Sequence, residues 1–296
     1  MKHEIRIYSF IEKCKSQIFS LLCFAILLGC QPANTTHFAN DKKGVNIILF
    51  IGDGMSLAQW QTGMIMSDDS LNIERMPTIG IVQTYPMTGF NGDGPTHGTA
   101  IATGVRTRKG AVGIDADGKP LKTLIDYAKE QRMATGIVSA NSLMEGSLAP
   151  FVAHVENRMQ LEEIAKAYVE KELDVFIGSG IQHFTNRKDG KDFLPELSRK
   201  GYQITRSKQE LQNVSGNKLA GFIAASEECN NSQGSGVSLP FYVQTALHLL
   251  SKNEHGFLLV VGDMHVDRAS HAKDTQLIGS ETIHLDKAIG LALDFA

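Results

Sequence analysis

From Val45 onward the chain alternates short unbroken apolar runs with longer stretches in which apolar residues recur every three or four positions. The unbroken runs suit strands buried on both faces, and the wider spacing suits helices laid against them. The pattern predicts strands at Val45–Ile51, Ala134–Ser139, Asp174–Ile177 and Phe257–Val261. It predicts helices at Lys122–Gln131, Gln160–Glu172, Phe241–Ser251 and Ile278–Ala296. Such alternation implies an α/β fold, a three-layer αβα sandwich around a mainly parallel central sheet. The segment Asn186–Ser238, rich in Lys, Asn, Ser and Gly, breaks the pattern and is expected to leave the sheet as a peripheral excursion. At the far end Leu285, Ala288, Ile289, Ala292, Leu293 and Ala296 form an apolar stripe with no C-cap signal after it. A strand normally follows such a helix, so the sheet is expected to lack its C-terminal strands, with a poorly covered helix face, an open edge and low solubility.

The first 29 residues read as an address. Lys2, Arg6, Lys13 and Lys15 precede the apolar run Ile18–Gly29, a run short for a membrane span and of export-signal layout. It ends in Leu27-Leu28-Gly29-Cys30, which resembles the lipobox of bacterial lipoproteins, where the new N-terminal Cys carries lipid. The organisation expected is therefore a signal peptide over 1–29, a polar tether over 30–44 and one domain over 45–296. Lipidated Cys30 would hold the protein to a membrane in the bacterial cell envelope, on the periplasmic side. Cys14 and Cys23 leave with the signal, so only Cys229 remains in the domain and no intrachain disulfide can form.

Charge narrows the partners. With 29 Lys+Arg against 32 Asp+Glu the net charge is −3, without a run of like charges. Nothing here calls for a nucleic acid.

Three stretches carry candidate chemistry. Gly52-Asp53-Gly54 follows the first strand directly and puts Asp53 at a strand's carboxyl end, where open α/β sheets gather ligands; the same tripeptide also serves as a plain turn. Asp263, His265, Asp267 and His271 follow the strand Phe257–Val261, and the four-residue spacing of Asp267 and His271 suits either a zinc-type ion or a solvated pair on one helix face. In Asn91-Gly92-Asp93-Gly94-Pro95-Thr96-His97-Gly98-Thr99, Pro95 suits a first helical turn, with Gly94 or Asp93 as its cap. Free N–H groups at such a terminus suit phosphate, and a glycine-rich turn is the plainer alternative.

Taken in order, these segments resemble the alkaline phosphatase family. Asn46-Ile47-Ile48-Leu49-Phe50-Ile51-Gly52-Asp53-Gly54-Met55 is similar to its opening metal-binding strand. Thr99-Ala100-Ile101-Ala102-Thr103-Gly104-Val105-Arg106-Thr107 resembles the stretch after its nucleophile, and Pro150-Phe151-Val152-Ala153-His154-Val155-Glu156-Asn157-Arg158 also matches. The resemblance implies periplasmic hydrolysis of small-molecule phosphate monoesters by Zn2+ and Mg2+ through a phosphoserine, in an enzyme that forms homodimers. Carried over, Asp53 bridges the zinc and magnesium sites, Asp267 and His271 bind the other zinc, and Arg158 clamps phosphate. Ser147 and Glu145 stand where the family places residues near magnesium. Counting nine back from Thr103, the nucleophile position is Gly94; Thr96 is the nearest hydroxyl and the candidate replacement. Gly262 stands where a magnesium-binding Glu is expected, unless Asp263 reaches in, and the family's remaining zinc ligands lie beyond Ala296. A catalytically impaired phosphate- or metal-binding relative is the alternative reading.

Overall fold

The computed structural model describes residues 44–87, 89–223 and 239–296. The signal, Cys30, nearly all of the tether and Cys229 lie outside the described residues. In chain order the elements are β1 (Val45–Gly52), α1 (Leu57–Met66), α2 (Gly94–Thr103), α3 (Leu124–Glu130), β2 (Ala134–Ser142), α4 (Leu161–Lys171) and β3 (Val175–Ser179). There follow α5 (Gln182–Thr185), α6 (Leu194–Arg199), β4 (Gln203–Thr205), α7 (Lys208–Gln212), β5 (Leu219–Gly221), α8 (Leu239–Leu250), β6 (Gly256–Asp263), α9 (His265–Ala272) and α10 (Thr275–Phe295).

The six strands form one sheet in the order β1-β6-β2-β3-β5-β4, every pair parallel. Residues of β3 and β6 are buried throughout, which is why the central strands read as continuous apolar runs. Alternate side chains feed two cores. Ile137, Phe176, Leu258 and Val260 pack with α3, α4, α5 and α6, while Val138, Ile177, Leu259 and Val261 pack with α1, α8 and α10. The helical layers therefore lie on opposite faces, and the fold is the expected αβα sandwich.

One expectation needs correcting. The segment Asn186–Ser238 contributes β4 and β5 to the sheet. Each is three residues long, below the length at which an apolar run stands out from a loop.

On the other side, among the described residues β1 pairs with β6 alone, with Val45 and Ile47 exposed. A groove of about 470 Å³ runs beside it, lined by Ile48, Phe50, Met76, Ile289, Leu293 and Phe295. Among the described residues no helix is long and apolar enough to cross a membrane.

Helix α10 is fastened to the N-terminal half by a buried carboxylate. Asp286 accepts from the backbone N–H of Asn72 at 2.7 Å, the Asn72 side chain at 3.0 Å and the Ile73 N–H at 2.8 Å.

Candidate active site

The carboxyl ends of β1, β2 and β6 lie side by side, and the segments leaving them build the pocket. Asp53 follows β1 directly, and its N–H donates to the Asp263 carbonyl at 2.9 Å, closing the β1–β6 ladder. Gly54 then turns the chain with a φ of +64°, and a Cβ there would lie 2.7 Å from both Cα and Oδ1 of Asp267. Glycine is thus required twice over, by the backbone angle and by the close approach of α9. This contact sets two carboxylates against each other. Burial, and next the charge of Asp267, push the Asp53 carboxyl up from its ordinary value, only partly offset by the Gly54 N–H, His97 and Ser147. On α9 the four-residue spacing acts as expected: His271 Nε2 stands 3.7 Å from Asp267 Oδ2, with the imidazole at the exposed rim.

Helix α2 enters from the other side. Asp93 is its N-cap, accepting from the Thr96 N–H at 3.1 Å, from the Thr96 hydroxyl and from the Gly110 N–H at 3.1 Å. Burial alone would raise Asp93, but those donors and the charge of Arg158 outweigh it and hold the carboxyl below its ordinary value. Arg158 is tied by its own N–H to the Gly110 carbonyl at 2.9 Å, so Gly110 supports both residues. Gly94 opens the helix, and a Cβ there would lie 3.3 Å from Asp53 Oδ2 and 3.5 Å from the Ser147 N–H nitrogen. The position expected for a nucleophile is thus beside Asp53, and it carries no side chain.

Thr96, the nearest hydroxyl, is 2% exposed and turned onto Asp93 as part of the cap. His97 contacts the Thr84 carbonyl through Nε2 at 2.6 Å.

The turn after β2 completes the pocket. Gly146 and Ser147 lie under the start of α2, so close that a Cβ on Gly146 would meet Pro95 Cδ at 2.4 Å. The Ser147 hydroxyl is buried and favours the ionised Asp53 without closing a full hydrogen bond. Glu145 is buried, and its Oε1 is 3.2 Å from Nη2 of Arg268 on α9. Asp263 does not reach in: it accepts from the His265 N–H at 2.8 Å and contacts the His265 Nδ1 at 2.9 Å. The Asn141 amide braces the same corner, accepting from the Met264 N–H at 2.9 Å and facing His265 Nε2 at 3.1 Å. Sequence reasoning missed Arg268, Asn141 and the contact of His265, because each depends on a partner far along the chain. Among the described residues no three His, Cys, Asp or Glu side chains stand close enough together to hold a metal ion by themselves.

Fold and pocket together define a parallel α/β protein whose strand ends carry two carboxylates on one side and a capped helix start, within reach of the Arg158 charge, on the other. The chain belongs to the alkaline phosphatase family, whose model matches residues 44–296. Alkaline phosphatase 4 of Bacillus subtilis is 29% identical over 314 residues, covering 97% of this chain and 68% of the relative. Alkaline phosphatase of Escherichia coli is 28% identical over 332 residues, covering 91% and 70%. The solved alkaline phosphatase of the Antarctic bacterium TAB5 superposes with a TM-score of 0.80 at 31% identity, covering 85% of this chain and 74% of that one. A variant of the TAB5 enzyme holds magnesium in its M3 site.

Proposed function

We propose that the chain is a metal-dependent phosphate monoester hydrolase of alkaline phosphatase type, held in the bacterial cell envelope through lipidated Cys30. The observation that carries this reading is the close approach of Asp267 to the turn at Gly54, which sets its charge against a partly buried Asp53 beside Gly94. Two like charges at one strand edge are unfavourable unless a cation offsets them. Their oxygens, with the imidazole of His271, are donors that zinc accepts. When bound, such an ion supplies charge neutralisation on the phosphate and lowers the pKa of water.

The chain's own residues do the rest. Asp53, Asp267 and His271 would hold such an ion once the exposed His271 imidazole turns toward the two carboxylates, since as they stand the three are not close enough together to do so. Arg158 would present a planar fork to two phosphate oxygens, while Asp93, which lies in the field of that charge, caps α2. Position 94 offers no hydroxyl, so in this reading water forms the new P–O bond and the ester oxygen leaves with a proton. Engagement of the Thr96 hydroxyl by Asp93 speaks against its attack on phosphorus.

The same two facts, Gly94 and the capped Thr96, favour a second reading: a relative that binds phosphate and metal without turnover.

Three results separate these readings. Mature chain with added zinc at alkaline pH is expected to hydrolyse an aryl phosphate, and Asp53→Asn or Arg158→Ala to lower the rate at least about tenfold. Gly94→Ser is expected to raise it on the order of 10²-fold by supplying the missing hydroxyl. A wild-type rate equal to that of Asp53→Asn removes the hydrolase reading; if inorganic phosphate still binds, the second reading stands. Membrane association tests the anchor separately: Cys30→Ala is expected to release the protein into the soluble periplasmic fraction.

A further inference from the structure

The family resemblance implies a magnesium ion near Glu145 and Ser147, with another carboxylate at position 262. We infer that this chain has no place for that ion and carries a guanidinium instead, Arg268 supplying as a fixed charge the positive partner that Glu145 needs. The inference rests on the proposed function only in locating the phosphate pocket.

Position 262 comes first. A Cβ built on Gly262 would lie 2.6 Å, 2.7 Å and 2.9 Å from three carbons of the Leu148 side chain, closer than real contacts come. Leu148 is fully buried in the core cluster that contains Leu143 and Phe151, so its side chain has no free space to swing into. The space a carboxylate would need is therefore filled with hydrocarbon. Magnesium demands oxygen ligands in near-octahedral array at about 2.0–2.1 Å, which leucyl methyl groups cannot supply.

The neighbouring carboxylate does not substitute. Strand alternation turns Asp263 to the opposite face of the sheet from Gly262; its Oδ1 is engaged by the backbone and ring of His265, and its Oδ2 is buried on that face without a hydrogen-bond partner.

Glu145 is already paired. Its side chain is 11% exposed, and its Oε1 meets the Arg268 guanidinium at 3.2 Å. A buried carboxylate is stable only when a positive or hydrogen-bonding partner faces it. A metal ion on Glu145 would set two cations side by side or drive Arg268 out. Arginine stays charged at every accessible pH, and a chelator cannot remove it. Arg268 adjoins Asp267, so one turn of α9 carries both the zinc-type ligand and the built-in charge.

The test reads ion binding rather than turnover, so it can fail while the hydrolase reading survives, and the reverse. Protein saturated with zinc is titrated with Mg2+ and followed by calorimetry and thermal melting. For the wild type we expect no saturable heat and a midpoint that moves by less than about 1 °C in about 10 mM Mg2+. Arg268→Ala is expected to melt about 4 °C lower, because Glu145 loses its positive partner, and to regain none of that with Mg2+, because the ligand at position 262 is still missing. A saturable wild-type isotherm overturns the inference, and so does an Arg268→Ala protein that melts with the wild type or is rescued by Mg2+. Should Arg268→Ala fail to fold, Arg268→Gln replaces it in the melts, and the wild-type isotherm still decides.

Discussion

Consider Asp286→Ala, which removes the clasp between α10 and the turn at Asn72–Arg75. The carboxylate is 2% exposed and accepts three hydrogen bonds, two of them from backbone N–H groups. Hydrogen bonds to charged groups are worth about 1.5–3 kcal/mol each, so the gross loss is about 5–9 kcal/mol. Two effects reduce it. The buried carboxylate loses its own desolvation cost, and water can reach Asn72 and Ile73, which are only half-buried. A net loss of about 3 kcal/mol remains, which lowers the midpoint by roughly 6–12 °C for a domain of this size. The single tryptophan, Trp60, packs in the core cluster that contains Leu285 and Ile289 of α10, so its fluorescence in a urea titration reads the region directly. Asp286→Asn keeps the shape but turns a donor toward donors, and should cost about half as much. A loss under about 1 kcal/mol for Ala, or a larger loss for Asn than for Ala, would refute the clasp.

Two further outcomes concern pH and metal. In chelator-treated protein, Asp53→Asn should be more stable than wild type at mildly alkaline pH. A carboxyl with a raised folded pKa contributes stability below its unfolded value of 3.8 and loses it as pH rises through the folded value, so the gap should close in acid. Added zinc should raise the wild-type midpoint and leave that of Asp53→Asn nearly unmoved. For Asp93, whose folded pKa is depressed, the sign reverses: its stabilisation is present above 3.8 and fades as pH falls below it. Asp93→Ala should therefore cost about 1 kcal/mol through loss of the cap at neutral pH, with the deficit narrowing in acid; a pH-independent deficit in paired denaturation curves would contradict this.

The parts of the fold legible in the sequence are those where burial writes a long signal. Residues Val45–Gly52 and Gly256–Asp263 pair along their whole lengths, and both appear as apolar runs. The start of α2 was legible because Asp93 and Pro95 are local instructions. Asp267 and His271 share a helix face through spacing alone. Helix α1 escaped notice because its one-turn start, Ser56 with Gln59, is followed by a weakly patterned and largely exposed run. What could not be read is what depends on distant partners. Arg268 and Glu145 are 123 residues apart, and nothing in either neighbourhood announces the other. The hydrocarbon against Gly262 is likewise visible only once α/β packing has brought Leu148 over it.

The strand order has a consequence for how this molecule comes into being. The strand Val45–Gly52 finds its neighbour in Gly256–Asp263, which leaves the ribosome only after all of β2 to β5. Until then its apolar residues have no lattice to join, and half of the acidic pair has no counterpart. Such remote closure makes for slow assembly and a prolonged hazard of sticking to other chains. Whatever escorts the nascent polypeptide must shield that strand until its distant partner has emerged.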